Sequence, residues 1–81
     1  MPVAYMLITC NPGFHEEVLR RLNELSEVVE ADRVYLAPYD IIVKVEADTI
    51  ERFNKALASD MKRIGNIISA VTLIKNEDLD I

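Results

Sequence analysis

Two stretches with apolar residues every three or four positions separate four short β-type runs, and that alternation limits what 81 residues can build. The first run, Val3 to Cys10 (VAYMLITC), is continuously apolar and stops at Asn11-Pro12-Gly13. It is too short for a stable helix, so it reads as a strand buried on both faces and central in its sheet. Asn11-Pro12 is expected to open a helix, Asn11 as N-cap and Pro12 at the first helical position, where a missing N–H costs nothing. Phe14, Val18, Leu22 and Leu25 make its apolar stripe, with Glu16 and Glu17 in the early turns, where the helix dipole favours acid.

Val28 to Ala37 carries Glu30, Asp32 and Arg33 among its apolar residues and reads as a strand nearer an edge. Pro38 marks a short connection. Tyr39 to Ala47 then alternates, Ile41, Val43 and Val45 on one face against Ile42, Lys44 and Glu46 on the other, so the pair reads as a hairpin. Asp48-Thr49-Ile50-Glu51 resembles a capping box, with Asp48 as the cap and Glu51 reaching back. Ile50, Phe53, Leu57, Met61 and Ile64 predict the second helix, which Gly65-Asn66 ends in residues tolerant of a left-handed backbone. Ile67 to Lys75 is the last strand, and Asn76 to Ile81 an acidic tail. The order strand, helix, strand, strand, helix, strand predicts one α+β domain over 1–81, a ferredoxin-like βαββαβ unit. Its four-stranded antiparallel sheet has the first and third strands central and both helices on one face.

The other sheet face is then left without a helix, yet alternate residues on every strand are apolar. A patch of that kind exceeds what a soluble monomer normally exposes. With one cysteine and one histidine, neither a disulfide nor a metal offers itself as a staple, so a sheet-to-sheet dimer is expected. A net charge of −5 argues against an electrostatic grip on nucleic acid. No run approaches the length of a membrane span and the start lacks the marks of a signal peptide, so the expected compartment is the cytoplasm, with no membrane partner.

No catalytic set and no cofactor motif stands out. His15 is expected on the solvent side of the first helix, and Cys10, closing a buried strand, is expected to pack rather than react. Two spots could receive a small zwitterion: Ala37-Pro38-Tyr39-Asp40 at the hairpin, and Ser69-Ala70-Val71-Thr72 in the last strand. A carboxylate can pair with an ammonium while hydroxyls hold a carboxylate. The plainer reading, from chemistry alone, is a turn acid and ordinary β-formers.

Ala37-Pro38-Tyr39-Asp40-Ile41-Ile42-Val43-Lys44-Val45 resembles the Gly-x-Tyr-Asp hairpin and following strand in the ligand-binding (RAM) domain of Lrp/AsnC transcriptional regulators. YMLITCNPG, RIGNI and ISAVTLI are similar to the same domain, and the match spans residues 2–75. The resemblance implies dimers, tetramers or octamers with an amino-acid effector between them, faced by Ala37, Tyr39, Asp40, Ser69 and Thr72. It also implies a stand-alone module that modulates full-length regulators of the family, without touching DNA itself. Two departures fall at the hairpin: Ala37 replaces a glycine, and Pro38 removes a backbone N–H. They leave open a purely structural assembly module. A small ferredoxin-like dimeric enzyme is the reading from a third class.

Overall fold

The computed structural model describes residues 2–75, the side chain of Leu36 apart, so the expected acidic tail lies outside the described residues. Four strands, β1 (Val3–Cys10), β2 (Val28–Leu36), β3 (Tyr39–Glu46) and β4 (Ile67–Lys75), form one sheet in the order β2-β3-β1-β4. All neighbours run antiparallel. Helix α1 (His15–Asn23) joins β1 to β2, and α2 (Ile50–Lys55) follows β3. The ferredoxin-like βαββαβ arrangement and the central places of β1 and β3 are as the alternation predicts.

Alternation also decides the core. Ala4, Met6, Ile8 and Cys10 on β1 and Ile41, Val43 and Val45 on β3 point to the helices and are buried. Val18 and Leu22 of α1 and Phe53 of α2 close over them. Tyr5, Leu7, Ile42, Val71 and Leu73 lie on the opposite side, where Tyr5 pairs with both Lys44 and Leu73. Towards β2 that face turns charged, Glu30 standing across from Lys44.

Three local expectations are corrected. Helix α1 starts at His15 rather than at Pro12, and Phe14 holds the N-cap place without a side-chain cap. Asn11 is engaged elsewhere: its N–H donates to the Asn66 carbonyl at 2.9 Å and its amide to Asn66 Oδ1 at 3.3 Å. Pro12-Gly13 therefore makes a turn, Gly13 taking a φ of +87° that suits a residue without Cβ. The cap of α2 is Thr49, whose hydroxyl accepts from the Arg52 N–H at 3.2 Å, and not Asp48. Asp48 instead meets the Arg52 guanidinium at 3.3 Å, and among the described residues no bond from Glu51 closes the expected box.

The second helix is not one helix. After Lys55 it widens into a π-helical turn, Ala56–Asp60, and then tightens into a 3₁₀ turn, Met61–Arg63. The apolar spacing still buries Phe53, Met61 and Ile64, while Ile50 at the helix start stays 55% exposed. Asn66 adopts a φ of 70°, the left-handed backbone that its place after the helix predicts. Glu27 ties this layer to β2: it accepts from Ser26 Oγ at 2.8 Å and from Arg52 at 3.2 Å.

Candidate functional site

The β2–β3 hairpin turns at Ala37-Pro38, joined by a cis peptide, and Leu36 pairs with Tyr39 across it. Asp40 follows at the start of β3, one step beyond the Ile8–Ile41 pair. Its Oδ2 accepts the Cys10 N–H at 2.9 Å and lies 3.5 Å from His15 Nε2. The carboxylate thus joins the end of β1, the start of α1 and the hairpin. Oδ1 has no partner among the described residues, and the side chain is 32% exposed. A fixed, partly exposed carboxylate with one oxygen unpaired among the described residues is suited to a cation.

His15 departs from its expected place. Its side chain is only 19% exposed, because it leans onto Asp40 rather than into solvent. Cys10 is buried as expected. Burial pushes its thiol pKa up, the negative charge of Asp40 adds to that, and Arg33 opposes both. The thiol is therefore kept in its unreactive protonated form, which fits a packing role.

The structure brings part of the expected residue set together. Thr9 stands across from Ser69 on β4, and its hydroxyl donates to the Pro38 carbonyl at 2.9 Å. Ser69, Thr9 and the Ala37–Asp40 hairpin consequently share one end of the sheet. Ala37 is exposed there and Tyr39 half-buried. Thr72 is separate: it stands across from Met6, on the helix side, and lines a groove of about 300 Å³ with Met61 and Lys62. Since side chains alternate along a strand, Ser69 and Thr72 face opposite sides of β4. One subunit cannot aim both at one ligand.

Sequence reasoning missed His15 and Lys62. His15 meets Asp40 across 25 residues of chain, and no local spacing announces such a pair. Lys62 looks like a helix-ending cation until the groove beside it is seen. Among the described residues no group of His, Cys, Asp and Glu could hold a metal ion, and no helix is long and apolar enough to cross a membrane.

Comparison with known proteins adds the following. The family model for the Lrp/AsnC ligand binding domain matches residues 3–77. The crystal structure of FFRP-DM1 is similar at a TM-score of 0.85 and 33% identity, over 94% of this chain and 100% of that one. Escherichia coli AsnC is similar at a TM-score of 0.82 and 25% identity, over 99% of this chain and 54% of that one. A Neisseria meningitidis transcriptional regulator, solved as an L-Met complex, shares the fold at a TM-score of 0.78 and 9% identity, over 96% of this chain and 51% of that one. No curated protein sequence matches the chain.

Proposed function

The chain belongs to the Lrp/AsnC ligand-binding domain family, and from that premise we propose that it is a regulatory module that assembles and binds a small amino acid between subunits. Ligand occupancy would then be passed to full-length regulators of the family. The observation that carries the reading is Asp40, a partly exposed carboxylate held by Cys10 and His15 with its other oxygen unpaired among the described residues. An α-ammonium is the cation that an amino acid brings to such a group. Ser69 lies at the same end of the sheet and Thr72 on the far side of its strand, so Thr72 of a neighbouring subunit completes the set with Ala37 and Tyr39. The methionine bound by the Neisseria meningitidis relative supports this ligand class.

Assembly rests on the apolar open face. Val71 and Leu73 are exposed beside Tyr5, and packing two such faces removes them from water, at roughly 25 cal/mol per Å² of apolar surface. The binding reading is tested by calorimetric titration with the common amino acids. Asp40→Ala should lower affinity by about 1.5–3 kcal/mol, the scale of a charge-assisted hydrogen bond. If no amino acid binds at millimolar concentration, the domain is an assembly module only. The missing N–H at Pro38 favours that second reading.

A further inference from the structure

Strand pairing lays the open face of the sheet out in rows. Glu30, Lys44, Tyr5 and Leu73 stand side by side across β2, β3, β1 and β4, and Asp32, Ile42, Leu7 and Val71 make the next row. The half of these rows over β1 and β4 is apolar, and the half over β2 and β3 carries the charge. Among the described residues Glu30, Asp32 and Lys44 form no ion pair, although Glu30 stands across from Lys44. Between them lies a shallow depression of about 300 Å³, lined by Tyr5, Glu30, Asp32, Ile42 and Lys44. Two carboxylates beside an aromatic ring and an isoleucine suit a cation carried on an apolar stem.

We propose that Lys44 of a second copy of this chain supplies that cation, so that Lys44 selects which chain the open face accepts. The proposal rests on the reading that two such faces pack together. A two-fold axis between face-to-face sheets has two simple settings. Along the strands, it would lay β4 on the second copy's β2, setting Val71 and Leu73 against Glu30 and Asp32 and stripping those carboxylates of water without a partner. Across the strands and between the two rows, it lays β4 on β4 and β2 on β2. Leu73 then meets Val71 of the second copy, Tyr5 meets Leu7, and Lys44 stands over Ile42 beside Asp32. The contact is isologous, so the same pairing occurs twice. Glu30 and Asp32 are exposed on an edge strand, so the carboxylates in excess stay hydrated at the rim. A chain of the same fold with an acid in place of Lys44 would bring like charge against like and be rejected.

The test is sedimentation of the full chain and of charge variants, with circular dichroism checking the fold of each. Lys44→Glu should weaken self-association roughly tenfold or more, and so should Glu30→Lys combined with Asp32→Lys, since like charges set against each other are costly at an interface. Mixed in equal amounts, these two variants should pair with each other at least as tightly as the parent pairs with itself. Lys44→Arg should associate like the parent. Lys44→Met, which adds no repulsion inside the subunit, should weaken association severalfold and carries the comparison should a reversed charge unfold the chain. Parent-like self-association of the Lys44→Glu or Lys44→Met variant overturns Lys44 as the selecting residue and leaves sheet packing in place. Reversed variants that stay apart when mixed overturn the axis across the strands, because the charged halves then do not meet. A parent that sediments as a folded species near 9.2 kDa overturns assembly itself, and this proposal with it.

Discussion

Strands β1 and β4 lie side by side, Val3 across from Lys75 at one end and Cys10 across from Ile67 at the other, and their compositions are much alike. Their fates differ. Ala4, Met6, Ile8 and Cys10 are buried, whereas Ile68 is 59% exposed, Leu73 55% and Ile74 62%. Position explains it: β1 has a neighbour on each side and helices above, while β4 is an edge strand at which the helix layer ends. The opposite edge, β2, carries Glu30, Asp32 and Arg33, the charges that keep an edge from pairing. In β4 the one charged residue is Lys75. An apolar strand without helix cover or protective charge is the surface on which the proposed assembly rests.

The largest expected effect separates the two strands directly. Ile8→Ala should cost about 2–5 kcal/mol by urea denaturation, at any protein concentration, because it hollows a closed core. Leu73→Ala should instead lower the midpoint only in a concentration-dependent way, through lost association. Equal, concentration-independent losses would break the contrast. Next comes Val71→Lys with Leu73→Lys, which should yield a species near 9.2 kDa on sedimentation with the circular dichroism retained. An unchanged oligomer would remove β4 from the assembly surface.

Two smaller effects sharpen the covered half. Thr49→Ala should cost about 1 kcal/mol, since it removes the cap of α2, whereas Asp48→Ala at an exposed ion pair should cost less than about 0.5 kcal/mol. Thermal melts of the two variants read the difference. The smallest effect concerns Glu27, whose pKa is lowered, chiefly by the Ser26 hydroxyl and further by Arg52. A carboxylate lowered in the folded state contributes stability above its unfolded pKa and loses it as pH falls through the folded value. Glu27→Gln should therefore flatten the acid side of the stability curve below about pH 4.5 and lower stability slightly at neutral pH. An acid limb as steep as the parent's would show that other carboxylates set it.

The candidate site was half legible. Tyr39-Asp40 in its hairpin marks Asp40 as a candidate, but its contacts with Cys10 and His15 join segments distant in the chain. Asn11 shows the same limit: an asparagine before a proline has the local marks of a cap, and a tertiary bond to Asn66 overrides them. Ser69 and Thr72 lie three residues apart in one strand, and strand geometry sends them to opposite faces. The apolar spacing from Ile50 to Ile64 marks Phe53, Met61 and Ile64 as the buried face but not the exposure of Ile50, and it does not indicate that the backbone behind them changes from α to π to 3₁₀.

By itself the sequence determined the order of elements, the strand alternation that makes Ile41, Val43 and Val45 the buried row, and the left-handed stop at Asn66. These follow from interactions a few residues apart, which spacing and backbone preference encode. Tertiary structure alone decided that β1, read from sequence as buried on both faces, is covered on its helix face only and leaves Tyr5 exposed, that the helix layer ends before β4, that His15 turns onto Asp40, and that Lys62 borders an apolar groove. Each depends on which segments meet across the fold, and a residue's type does not carry the identity of its distant neighbour.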